Sequence, residues 1–134
     1  MLFRSLASHV FEHLDDLEHA FNEAGRVLVD GGALEVRVPI GVNARTDWTH
    51  QHEFTYDTPL QFAQNWEAYA DDYQFDPTAP FDLVDRELTM VCHGPFRVCS
   101  PLVQRAARTM PGVWTSAIPA SSGELVARFR RVER

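Results

Sequence analysis

Two groups of side chains in this chain have the types and spacing to do chemistry. The first is His9-x-x-Glu12-His13. On a helix, residues i and i+4 share a face, so two imidazoles could hold one Zn²⁺ while the carboxylate between them acts as general base. The order is that of the inverted zincin signature. This reading also needs a third ligand far downstream, for which Glu87 is one of many acids. The second group is His50-Gln51-His52-Glu53. In a strand, His50 and His52 would project to the same side and could clamp a metal or face a substrate. Cys92 and Cys99 lack zinc-site spacing; they are expected to be free thiols and are assigned no chemistry.

The elements around these groups decide between the readings. Leu2 to Ala7 is a short apolar run suited to a strand. Asp15 and Asp16 then open a helix, and Asp15 with Glu18 has the spacing of a capping box. Leu17, Ala20, Phe21, Ala24, Val27 and Leu28 recur on one helical face. The first string therefore falls in a loop between strand and helix rather than mid-helix, which weakens the zinc reading. Gly31-Gly32 is placed to end the helix. Ala33 to Val38 alternates as a strand, and Pro39 is expected to close it.

Gly41 to Tyr56 is polar and irregular, and it carries Trp48, His50, His52 and Glu53. Loops of this length without structure of their own are uncommon and often functional. Thr58-Pro59 has the form of a helix start. Phe62, Trp66, Tyr69 and Tyr73 would then form an aromatic stripe packed on the sheet. Phe81 to Cys92 reads as a strand and Ser100-Pro101 as the start of a short helix. Leu125 to Val132 reads as a last strand.

The 134 residues suit one domain spanning the whole chain, and a hydrophobic content of 45% is enough for a core. No apolar run approaches the ~18 residues of a membrane span. No signal peptide is legible either, so the expected location is the cytoplasm. The net charge of -7 argues against nucleic-acid binding, because phosphate contacts need clustered cations. All 12 basic residues are Arg, as in a GC-rich genome or a salt-loving cytoplasm, where an acidic surface serves solubility.

The stretch from Ser8 to Pro39 resembles the second half of class I S-adenosylmethionine-dependent methyltransferases of the small-molecule type. The resemblance rests on Ser8 to His13, Asp15-Asp16, Arg26-Val27-Leu28, Gly31-Gly32 and Val38-Pro39, in that order. It implies an α/β fold: a partial Rossmann-like sheet of about four strands with about three helices. The first two strands would be parallel and the last two a closing antiparallel pair. It further implies S-adenosylmethionine as cofactor, transfer of a methyl group to a small acceptor, and a site at the carboxyl ends of the strands. By resemblance, Ala7, Ser8, His9 and Val10 would lie near donor and acceptor. Glu12 or His13 would orient or deprotonate the acceptor, with His9 beside His13 as the other catalytic candidate, and His50 and His52 would face it. Glu12 is more simply expected to cap the loop and helix.

One part of that family's pattern is absent. No glycine-rich loop after a strand occurs in these residues, so the chain is expected to be a truncated half with weak or no cofactor binding. The Leu2–Ala7 strand would then have an uncovered apolar edge, which predicts a homodimer or swapped assembly. The alternatives are a zinc-dependent hydrolase using His9, Glu12 and His13, and a non-catalytic interaction domain.

Overall fold

The structure is a computed structural model and describes residues 1–69, 74–92, 94–111 and 121–133. Four strands form one mixed sheet: β1 (Leu2–Ser8), β2 (Leu28–Gly41), β3 (Phe81–Cys92) and β4 (Ser121–Arg131), in the order β1-β2-β4-β3. β1 and β2 are parallel, and β4 runs antiparallel to both of its neighbours. Among the described residues three α-helices accompany them: α1 (Leu17–Val27), α2 (Val42–Thr46) and α3 (Ser100–Thr109). No helix among the described residues is long and apolar enough to cross a membrane.

The apolar face of α1 forms as its periodicity requires. Asp16 is its N-cap and accepts a hydrogen bond from the His19 N–H at 2.8 Å. Glu18 accepts one from the Thr78 hydroxyl instead of completing a capping box. Phe21 is the buried centre, touching Phe11, Phe62, Phe81 and Phe129. Gly25 lets the helix approach the segment before β3, since a Cβ there would lie 2.6 Å from Pro80 Cγ.

Three regions depart from expectation. The strand expected over Ala33–Val38 runs from Leu28 to Gly41, and α1 passes straight into it. Gly31-Gly32 does not end the helix. It lies within β2, where pairing jumps from Leu2↔Leu28 to Arg4↔Ala33 and Gly31 has a φ of 75°. Pro39 does not close the strand either. β1 stops opposite Arg37, so β2 has one neighbour beyond that point and a proline is tolerated as on an edge.

The second correction concerns Thr58 onward. Two short 3-10 turns, Thr58–Phe62 and Trp66–Ala68, stand where one α-helix was expected. The interruption has a long-range cause. Gln64 N–H donates to the Phe81 carbonyl, and the Asn65 side chain makes reciprocal bonds to the Leu83 backbone. Those bonds compete with helical ones. Phe62 and Trp66 still pack on the core, while Tyr69 hydrogen-bonds the Leu83 carbonyl; Tyr73 lies outside the described residues. Third, the Gly41–Tyr56 stretch is not wholly irregular, because it opens with α2. Cys92 and Cys99 are both free.

The two edges of the sheet are treated differently. On β3 the Asn65 side chain bonds Leu83, Gln104 bonds the Leu88 carbonyl and the Met90 N–H, and Ser100 accepts from the Cys92 N–H. These side chains take up groups that would otherwise template another strand. Among the described residues no side chain does the same for β1, where Leu2, Phe3 and Leu6 are exposed.

Candidate functional site

β1 delivers its carboxyl end to a tight turn. His9 is the one non-glycine among the described residues with positive φ, at 53°, a conformation histidine adopts more readily than most. Its N–H donates to the Arg37 carbonyl at 2.9 Å, which ties the turn to β2. A 3-10 turn, Phe11–His13, follows. Phe11 packs edge-on against Phe21, and this anchor carries Glu12 inward. The Glu12 carbonyl accepts from the backbone N–H groups of Gln51 and His52, so the second histidine-bearing stretch is sewn onto the first.

The result is a cavity of about 590 Å³ at the carboxyl ends of β1 and β2, lined by His9, Glu12, His13, Pro39, Asp47, Trp48 and His50, among others. Trp48 stands at the rim, 92% exposed. His13 and His50 meet edge to face with ring centroids 4.7 Å apart. His9 Nε2 lies 2.9 Å from Glu124 Oε2 on β4, and its Nδ1 is 3.4 Å from Glu12 Oε1. Asp47 accepts from the Thr49 hydroxyl and N–H. Those bonds hold its carboxyl below the ordinary range.

Glu12 departs most from expectation. It caps nothing; Asp16 does that. Its side chain is 1% exposed, and neither carboxylate oxygen has a hydrogen-bond partner among the described residues. The contacts to His9 at 3.4 Å and to His13 Nε2 at 3.9 Å are ion-pair distances without hydrogen-bond geometry. A buried, unsatisfied carboxylate is costly, and such groups concentrate at functional sites.

The other expected residues divide. His50 enters the cavity and His52 does not; the stretch is not a strand, so the two do not point together. Ala7 is half-buried against the core, while Ser8 and Val10 are exposed beside the turn. The zinc set completed by Glu87 is not assembled. Glu87 lies on β3, three strand spacings or about 14 Å from β1, and pairs with Arg128 of β4. Sequence reasoning missed Asp47, Thr49 and Glu124. The Asp47-x-Thr49 spacing is a legible Asx-turn signal; Glu124 left none.

No protein-family model and no curated protein matches the chain. Among solved structures it is similar to the [4+2]-cyclase SpnF, with a TM-score of 0.54 and 17% identity over 99% of this chain and 52% of SpnF. The YcgJ protein from Bacillus subtilis (TM-score 0.49) and the MccD protein (0.44) are more distant, each at 13% identity. They are covered to 65% and 60%, by 99% and 97% of this chain. The chain spans about half the length of SpnF. The likeness shows the fold alone: a mixed α/β sheet of the partial Rossmann-like kind.

Proposed function

We propose that the chain forms the acceptor side of a methyltransferase-type site, with a small molecule held in the cavity beyond β1 and β2. The observation that carries this reading is the cavity's position at the carboxyl ends of parallel strands, where ligands of such sheets bind. His9 is the proton acceptor. Its ring is held by Glu124, the base-and-orienter arrangement of acid–base sites. His13, steadied through Nδ1 by Thr49, and His50 orient the acceptor. Ala7, Ser8 and Val10 lie toward the donor, and His52 ties the acceptor-side loop to Glu12 through its backbone N–H.

The residues present do not fit the adenosyl part of S-adenosylmethionine. β1 runs into Ser8 and His9 rather than glycines, and Gly31-Gly32 lies inside β2 after a helix. Calorimetry with S-adenosylhomocysteine tests this directly. The 134-residue chain should bind it no tighter than millimolar, and micromolar affinity would refute the absence of a donor cradle. Small hydroxylated or carboxylated fragments should still perturb Trp48 emission and the His13 imidazole resonances together. Fragments that move neither would remove the acceptor site.

A second proposal concerns β1. Its exposed apolar edge pairs with a second copy of the chain, so light scattering at micromolar concentration should give a dimer mass. A monomer there would count against it.

A further inference from the structure

Glu12, His13 and His50 each bring one potential ligand atom to within 4.8 Å of the other two. The hydrogen bonds around them define what those atoms are. His13 Nδ1 lies 3.2 Å from the Thr49 carbonyl oxygen and 3.1 Å from the Thr49 hydroxyl. The carbonyl can only accept, and the hydroxyl already donates to Asp47 at 2.7 Å. Nδ1 of His13 therefore carries the proton. His50 Nδ1 faces the Ala44 carbonyl at 2.9 Å and carries one for the same reason. A neutral imidazole protonated on Nδ1 presents a bare lone pair at Nε2. The Glu12 carboxylate, buried and without a hydrogen-bond donor of its own, offers only lone pairs as well.

Three electron-pair donors thus converge with no N–H or O–H hydrogen-bonded to the carboxylate among them. Such a cluster is unfavourable unless a proton on an imidazole Nε2 or a metal cation joins it. We propose that Glu12, His13 and His50 bind one first-row divalent cation of the zinc type. Two imidazoles and one carboxylate are a ligand set of open zinc sites. The backbone carbonyls that accept the two Nδ1 protons are the outer partners that fix such imidazoles. Bonds of 2.0–2.2 Å in a tetrahedron place ligand atoms about 3.4 Å apart. The 3.9 Å between Glu12 Oε1 and His13 Nε2 closes to that by small side-chain rotations. The remaining position opens to the cavity, where a water or an oxygen of a small ligand fits. This set differs from the linear string, because His50 replaces His9, which is engaged with Glu124. With the cation in place, His13 acts on a bound molecule through it and His9 remains the base.

The test is titration of the whole chain, freed of metal by chelator, with Zn²⁺ alone and with Mg²⁺ alone. One equivalent of Zn²⁺ should bind with micromolar or tighter affinity, and Mg²⁺ at least about 100-fold more weakly, since imidazoles suit the former. The ¹⁵Nε2 resonances of His13 and His50 should move on Zn²⁺ addition while their Nδ1–H signals persist. Glu12→Gln and His50→Gln should each weaken Zn²⁺ at least about tenfold and remove the Zn²⁺-dependent rise in Tm. His9→Gln should change affinity less than about threefold, because His9 hydrogen-bonds Glu124 and none of the three ligands. Unmoved Nε2 resonances in the unaltered chain would overturn the site without any appeal to variants. So would His9→Gln weakening binding as much as His50→Gln. Because no S-adenosylmethionine is involved, a negative result here leaves the acceptor-site reading standing.

Discussion

Replacing Phe21 by alanine should destabilise the domain by about 3–5 kcal/mol, enough to lower Tm by roughly 10–20 °C. The ring is 1% exposed and is the hub of the aromatic core. It stacks on Phe62 at 4.1 Å and meets Phe11 and Phe129 edge-on at 5.0 and 5.3 Å. Truncation removes the transfer free energy of a buried ring and leaves a cavity between a helix, two 3-10 turns and two strands. Few of those neighbours can collapse into it, because Phe81 and Phe129 are fixed by sheet pairing. Total stability of a domain this size is about 5–15 kcal/mol, so one change removes a large share. The site should feel it too, since Phe11 rests on Phe21 and positions Glu12 and His13. Phe21→Leu should cost less than about 1.5 kcal/mol. Urea unfolding of both variants is the measurement. A loss below about 1 kcal/mol for alanine would mean that the core re-forms around the gap.

What was legible in the sequence was what period and turn chemistry encode locally. Alternation over Phe81–Cys92 gave a strand with the bounds observed, and the 3.6-residue repeat in Leu17–Leu28 gave α1. The parallel pair and the antiparallel closing strands followed from resemblance rather than pattern. The failures have a common cause. Thr58-Pro59 looks like a helix start, but the Gln64 N–H and the Asn65 side chain spend their hydrogen bonds on β3, far along the chain. Pro39 looks like a strand end, but the length of β1 decides whether it must be.

The site was half legible for the same reason. His9, Glu12 and His13 stand in one string, and their loop placement was readable from the helix signals beyond it. Which of them work together was not. Glu124 reaches His9 across the register of β2 with β4. His50 reaches His13 because two backbone N–H groups find the Glu12 carbonyl. Glu12 was read as a cap because a carboxylate before a helix normally is one; only its burial shows otherwise.

Glu35 should make stability strongly dependent on acid. It lies on the sheet face opposite the core residues of β2, 5% exposed, with Arg37 bound at 2.6 and 2.8 Å on β2 itself. Arg4 reaches it from β1 at 3.1 Å and Arg128 from β4 at 3.4 Å; Arg128 is shared with Asp85 and Glu87 of β3. The Arg37 hydrogen bonds, followed by the charges of Arg37 and Arg128, outweigh burial and hold the Glu35 carboxyl below its ordinary 4.5. A carboxyl depressed in the folded state binds protons more readily when unfolded. Its contribution is therefore complete above the unfolded value near 4.5 and is lost as pH falls through the lower folded value. Glu35→Gln should cost about 2 kcal/mol at pH 7, less than a fully buried pair because the arginines can rehydrate. The difference from the unaltered chain should shrink as pH drops below 4.5, since the protonated glutamate resembles the glutamine. Glu87→Gln, on an exposed partner of the same Arg128, should cost under about 0.5 kcal/mol. Urea unfolding at pH 7 and pH 3 reads all three; a Glu35→Gln penalty of equal size at both would show that the carboxylate's charge is not what the three arginines recognise.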